Sequence, residues 1–202
     1  IGETANVTIV FNESVLGFTN ADLTVENGTL SNVVSYNGGS TWNAVFTPSV
    51  NIEDTSNLIT LSNAGVTDMV GNAGVGSTAS SNYLVDTKRP TATLSLNDSA
   101  LSAGETATLT VNFSEAVTNF TTADLSVPNA SVTGLSSSNG GVTWTATITP
   151  TANVQSASNQ ISLDLTGIND LTGNAGTGSA TTTNYSIDTV RPTATISIND
   201  TN

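Results

Sequence analysis

The sequence predicts an all-β protein made of two antiparallel β-sandwiches in tandem, and three observations carry that prediction. First, the chain aligns with itself at an offset of 102 positions, from Gly2 on Gly104 to Asp98 on Asp200, with no insertion or deletion and about half of the aligned positions identical. A period near a hundred residues is far longer than the roughly 20 to 50 of solenoid repeats and matches a domain that buries its own core. Second, the hydrophobic pattern has a period of two almost throughout, the signature of strands with one wet face. Third, Asn-Gly-Gly at 37–39 and 139–141 lies between such runs. Gly and Asn tolerate the positive φ that tight hairpin turns require.

Each strand can be read in turn. Ala5, Val7, Ile9 and Phe11 fall on one face of the first run, and Ala107, Leu109, Val111 and Phe113 on the same face of its repeat, with Thr108, Thr110 and Asn112 outward. TWTATIT turns Trp144, Ala146 and Ile148 inward, QISLDL does so with Ile161, Leu163 and Leu165, and NYSID with Tyr185 and Ile187. TATLSL adds an opening strand through Ala92, Leu94 and Leu96. No segment shows a helical period. About seven short strands per hundred residues, with turns between them and one inward Trp, predict tandem immunoglobulin-like antiparallel β-sandwiches, in architecture rather than in the disulfide of antibody domains.

Module boundaries follow from the repeat: residues 1–88, residues 89–190, and residues 191–202 as the first strand of a following module. Asp86-Thr87-Lys88-Arg89-Pro90 reads as a stiff joint, because Pro90 fixes its own φ and pushes Arg89 toward an extended conformation. The second module opens with RPTATLSLND, whereas the first starts beside GETA, and RPTATISIND closes the chain. Two readings stay open. Either the chain is a piece cut in a different phase from the module, or Ala194, Ile196 and Ile198 of one molecule fill the first-strand position of the next by donor-strand complementation.

Composition excludes several functions. Sixteen acidic residues against three basic ones give a net charge of −13, while only 9% of residues are charged and 37% are hydrophobic. Nucleic-acid binding needs clustered Lys and Arg, as does adsorption to an anionic membrane. The absence of cysteine removes disulfides, thiolate nucleophiles and sulfur-ligated metals. No apolar run approaches the roughly 20 residues that span a bilayer, and no signal peptide opens the chain, so it reads as an interior piece of something longer.

One motif resembles an enzyme signature. Ser35-Tyr36-Asn37-Gly38-Gly39-Ser40-Thr41-Trp42 and its repeat Ser137 to Trp144 approximate the Asp-box of sialidase propellers, with Asn in place of Asp. A sialidase needs an arginine cluster and a Tyr nucleophile, and only Arg89 and Arg191 exist, in equivalent linkers. The motif is therefore read as a hairpin whose Trp packs on the core. With no His, no Cys and Lys88 as the only lysine, nucleophilic catalysis lacks its parts as well. The chain is expected not to be an enzyme.

The block order GETATLTVNFSEAV, FTTADLSV, NGGVTWTATITP, INDLTGNAG and NYSIDTVRPTAT resembles the bacterial Ig-like tandem repeats of giant RTX, biofilm-associated type surface adhesins, over essentially the whole chain. The resemblance implies an extracellular, cell-surface stalk of many near-identical modules, often stiffened by Ca²⁺, that holds an adhesive domain away from the cell. The alternative is a subunit of a filament or surface layer whose repeats join between molecules. In either case the expected partners are neighbouring Ig-like modules of the same or an identical chain, without nucleic acid or membrane insertion. Thr- and Ser-rich outer faces carry no patch that announces a glycan or other ligand.

The acidic residues are the candidate metal ligands. Glu3/Glu105, Glu13/Glu115, Asp22/Asp124, Asp68/Asp170, Asp86/Asp188 and Asp98/Asp200 recur at matching places. In an Ig-like sandwich Glu115 (FSEAV) and Asp170 (INDLTGNAG) belong to the end where the chain enters, beside the linker bearing Asp86, and Asn174 adds an amide oxygen. Glu53 and Asp54 of the first module point toward the same junction. Oxygen donors from a linker and loops suit Ca²⁺, which accepts six to eight of them, and no nitrogen or sulfur ligand favours zinc. The expected ligands are Asp86, Glu115, Asp170 and Asn174, followed by Glu13, Asp68, Asp188, Glu53 and Asp54. The alternative reading makes these carboxylates solvated loop residues.

Overall fold

The alternation in ATLTVNF becomes strand Ala107–Phe113 in the computed structural model, which describes residues 1–199 and divides into two units, Ile1–Lys88 and Arg89–Asn202. In the second unit Ala107, Leu109, Val111 and Phe113 are buried, while Thr108 and Asn112 face solvent. This strand pairs antiparallel with Ala92–Leu96 on one side and with Thr143–Pro150 on the other, and the latter pairs in turn with Ala130–Ser137. The facing layer holds Ala100–Ser102, Tyr185–Asp188 and Gln155–Asn159 in that order, with a shorter ladder of Leu125–Ser126, Ser162–Asp164 and Ser179–Thr181. Both layers close on one core, in which Leu109, Ile148, Ile161, Leu163 and Ile168 are 0% exposed. The unit is an Ig-like β-sandwich.

One pairing departs from the antiparallel expectation, since Ala100–Ser102 runs parallel to Tyr185–Asp188. The opening strand is split in two. At the turn between its halves the Asp98 carboxylate accepts the Ala100 N–H at 2.9 Å, and the chain crosses from the edge of one sheet to the edge of the other. Its second half then meets the last strand in the same direction, and Leu101, 1% exposed, enters the core from that edge.

The Asn-Gly-Gly hairpins are also wider than the two-residue turn the sequence suggests. Ser137 is paired with Trp144, which leaves 138–143 as the loop. Side chains brace it: Asn139 Oδ1 accepts the Thr143 N–H at 2.8 Å, Ser137 Oγ accepts the Gly141 N–H at 3.0 Å, and Trp144 Nε1 donates to the Gly141 carbonyl at 2.9 Å. Gly141 has a φ of 96°, and a Cβ there would meet the Val117 carbonyl at 2.7 Å, so neither conformation nor space admits a side chain. The same bonds recur from Ser35 to Trp42. Each Trp stands edge-on to a core Phe, Trp144 against Phe120 at 5.3 Å and Trp42 against Phe18 at 5.2 Å. The sialidase-like spelling thus encodes a braced loop and a lid on the core.

Buried polar residues, which alternation does not anticipate, tie the layers' ends. Asn159, 3% exposed, donates to the carbonyls of Ser156 and Tyr185 and accepts from Asn129, while Thr189 donates to the Thr151 carbonyl and accepts the Val154 N–H. Asn57 and Thr87 make the corresponding bonds in the first unit. Every one of these groups is satisfied, as burial requires.

The first unit repeats this plan, but its sheet runs Ala5–Val10, Thr41–Pro48, Gly28–Leu30, with Ala5–Val10 at the edge. Val7, Ile9 and Phe11 are half-buried where Leu109, Val111 and Phe113 are buried. The fully buried apolar cluster shrinks to Val15, Phe18, Leu61 and Val66. Leu109→Ala is therefore expected to destabilise the second unit by about 2–5 kcal/mol. Val7→Ala, at a position that is only half covered, should cost less than about 1 kcal/mol. Urea unfolding of each variant checks this contrast, and equal losses would contradict an open first-unit edge.

Candidate functional site

The loop INDLTGNAG is organised by one carboxylate. Asp170 Oδ1 accepts the Thr172 N–H at 2.8 Å, the Thr172 hydroxyl at 2.9 Å and the Asn174 N–H at 2.8 Å, and Oδ2 accepts the Asn174 amide at 2.8 Å. Backbone bonds from Asp170 N to the Asn174 carbonyl and from Gly176 N to the Ile168 carbonyl close the loop around it. The Arg89 guanidinium donates to the Ala175 carbonyl of the same loop. Asn-Asp here also pairs with Val117–Thr118, two residues past Glu115. That pairing brings a Glu115 carboxylate oxygen and one of Asp170 within 4.8 Å of each other. Glu115, Asp170 and Asn174 are thus neighbours within the second unit.

In the first unit Asp68 plays the part of Asp170, accepting the N–H groups of Val70 and Asn72 on Oδ1 and the Asn72 amide on Oδ2 at 2.6 Å. Glu13 is exposed and lines the same groove as Asp68 and Asn72. Glu53, Asp54 and Asp86 meet at one end of the sheet, where Asp86 is paired with Glu53 and Val85 with Asp54. Lys88 Nζ lies 2.9 Å from Glu53 Oε2, and Asp54 accepts the Asn27 amide and the Ser56 N–H. Asp86 Oδ1 accepts the Lys88 N–H at 3.2 Å. Asp188 does the same for Val190 and accepts the Gln155 amide as well.

Three of the remaining acids make local bonds. Asp22 and Asp124 close capping boxes with Thr19 and Thr121 at the start of 3-10 turns. Glu105 accepts the Ser102 N–H at 2.8 Å. Asp200 lies outside the described residues. Sequence reasoning overlooked Thr172, whose hydroxyl belongs to the Asp170 cluster, and the buried Asn and Thr pairs. The signal for Asn57/Asn159 was their identity just after the diverged positions Glu53/Gln155, Asp54/Ser156 and Thr55/Ala157.

Burial raises the Asp170 carboxyl, but the bonds that Asn174 and Thr172 donate to its charged form outweigh burial, and the net shift is down from the ordinary 3.8. Asp68 is lowered foremost by the Asn72 side chain and then by its N–H. A lowered folded-state value contributes stability above the ordinary carboxylate range that is lost as pH falls through the folded value. Asp170→Ala is expected to cost about 2–4 kcal/mol at neutral pH. Its deficit relative to the parent should shrink as pH drops below 3.8, the ordinary value from which the carboxyl is lowered. Melting curves at neutral and strongly acid pH check both, and an unchanged deficit in acid would show that the charge plays no part.

No curated protein gives a significant match to the chain. Among solved structures the chain is similar to FdeC, described as a novel broadly conserved Escherichia coli adhesin eliciting protection against urinary tract infections, at 14% identity and a TM-score of 0.37. That match covers 95% of this chain and 60% of the FdeC chain, and a superposition so loose bears no weight for function. The family model of the bacterial Ig-like domain matches residues 1–85 and again residues 86–187. With two Ig-like sandwiches in tandem and a family match to each, the chain belongs to the bacterial Ig-like domain family.

Proposed function

We propose that the chain is a pair of extender modules from the stalk of a secreted bacterial surface adhesin, of the RTX, biofilm-associated type, stiffened by calcium at its module junctions. The observation that carries this reading is the repetition of one family domain, with its braced loops and linker sequence recurring in both copies. A Thr-, Ser-, Asn- and Gly-rich chain at −13 supports an extracellular place. An inventory without His or Cys supports a mechanical role over a catalytic one.

The donor set fits calcium. Glu115 and Asp170 bring two carboxylates within 4.8 Å of each other, and such a pair is more stable with a cation between its charges. Asn174 presents its amide nitrogen to Asp170 and Thr172, and its amide oxygen is a donor of the kind calcium takes. Asp86 stands three positions before Arg89, the first residue of the second unit, and three residues of chain span roughly 10 Å at most. Calcium would supply charge neutralisation and a rigid cross-link, and Asp86, Glu115, Asp170 and Asn174 would hold it. Oxygen ligands alone argue against zinc.

Added Ca²⁺ is expected to raise the melting temperature by several degrees, since a ligand at a hundredfold its dissociation constant stabilises by about 2.7 kcal/mol. Asp86→Asn and Glu115→Gln, which leave the Asp170 loop bonds intact, should abolish most of that rise and the accompanying change in small-angle scattering. Identical melting and scattering in Ca²⁺ and in chelator would remove calcium from the reading.

A further inference from the structure

Three Asn-Gly steps occur in the chain, at Asn27-Gly28, Asn37-Gly38 and Asn139-Gly140, and the structure holds them in two different ways. Such a step is prone to cyclise on itself, because no side chain on the glycine keeps its nitrogen from reaching the asparagine Cγ. In the widened hairpin loops Asn37 and Asn139 are exposed, and each side chain works through its oxygen. Asn139 Oδ1 accepts the Thr143 N–H at 2.8 Å and the Ser137 hydroxyl at 3.2 Å, and Asn37 Oδ1 accepts the Thr41 N–H at 2.9 Å and the Ser35 hydroxyl at 3.1 Å. Among the described residues neither amide NH2 donates a bond, and neither the Gly38 nor the Gly140 N–H meets an acceptor. Leaving group and nucleophile are both unrestrained at an exposed loop tip.

Asn27 meets the opposite circumstances. It is half-buried, its NH2 donates to Asp54 Oδ2 at 2.9 Å and to Asn57 Oδ1 at 2.6 Å, its carbonyl accepts the Ser49 N–H at 2.9 Å, and Gly28 opens the strand Gly28–Leu30. Side chain and main chain are both fixed. An aspartate at this position would lose two donors and set its charge against Asp54. At 37 and 139 an aspartate loses nothing, since the brace needs only an acceptor and bonds to a carboxylate are stronger than bonds to an amide oxygen. Aspartate is also the residue that the Asp-box spelling itself carries at this place.

We propose that Asn37 and Asn139 are self-modifying sites, deamidated by the chain's own backbone with water as co-reactant, while the fold protects Asn27. The Gly140 nitrogen, its proton lost to hydroxide, bonds to Asn139 Cγ as the bond from Cγ to NH2 breaks, and ammonia leaves with a proton from water. Water then opens the cyclic imide. Cleavage of the new Cγ–N bond gives aspartate in an unchanged main chain, and cleavage at the α-carbonyl gives isoaspartate, whose main chain is one methylene longer. Gly38 and Asn37 react in the same way. Aspartate keeps the acceptor beneath the Thr143 N–H and isoaspartate displaces it, so only the first product preserves the braced loop. Each conversion adds one negative charge to a chain that already carries −13, which strengthens its repulsion of other anionic surfaces.

Peptide mapping by mass spectrometry of the 202-residue chain, held for days in mildly alkaline buffer, reads each site separately. Asn37 and Asn139 convert at similar rates that rise with pH, and about tenfold faster than Asn27, a ratio that corresponds to about 1.4 kcal/mol of restraint. In urea the three sites converge, because the dipeptide is the same and only the fold distinguishes them. Asn139→Asp melts at or above the parent temperature, whereas Asn27→Asp melts lower. Conversion of Asn27 as fast as the others in the folded chain overturns the proposal, as does survival of Asn37 and Asn139 over a time in which the urea-unfolded chain has lost them. An Asn139→Asp chain that melts below the parent overturns the role given to the aspartate product.

Discussion

Two-sided pairing of the central strand is the constraint on which the rest of this structure depends. Where Ala107–Phe113 has a neighbour on each side, its inward face is sealed and a single core joins both layers. Where Ala5–Val10 has one neighbour, the same inward face is half exposed, and Ile9 and Phe11 sit at the margin of a four-residue buried cluster. Near-identical patterns therefore give unequal cores, since a strand's burial is decided by what pairs with it as much as by its own alternation.

Much of the acidic character of the chain has a second explanation beside solubility. The carboxylates at Asp68, Asp98 and Asp170 accept backbone N–H groups from residues just downstream, and Asp124 accepts that of Thr121 just upstream, so they shape turns in a protein with almost no regular helix. At Asp68 and Asp170 these bonds favour the charged form and hold the carboxyl below its ordinary value. Glu115 beside Asp170 shows the other consequence: once a turn is held by one carboxylate, strand pairing can deliver a second to its side. Local turn chemistry and cation affinity come from the same residues, which is why recurrence alone does not separate them.

What the sequence determined by itself was everything that follows from periodicity. Period two placed Leu109, Val111, Ile148, Ile161, Leu163 and Ile187 inward because neighbouring residues on a strand point to opposite faces, a purely local rule. The self-alignment set the repeat, and the Asx and Gly positions marked where turns fall. Tertiary structure alone decided how strands were shared out. It split the opening strand at Asp98 and sent its second half parallel to Tyr185–Asp188, and it widened the Asn-Gly-Gly hairpins through bonds from Ser137, Asn139 and Trp144. It buried Asn159 and Thr189, polar residues that bond to Tyr185 and Val154, 25 or more positions away. Of the candidate ligands, Asp170 and Asn174 could be seen as one loop in the sequence. Glu115 joined them only through the pairing of Val117–Thr118 with Asn169–Asp170, a contact over fifty residues that no local pattern encodes. Contacts of that range depend on which strands find each other, and that is settled by the packing of the whole sandwich.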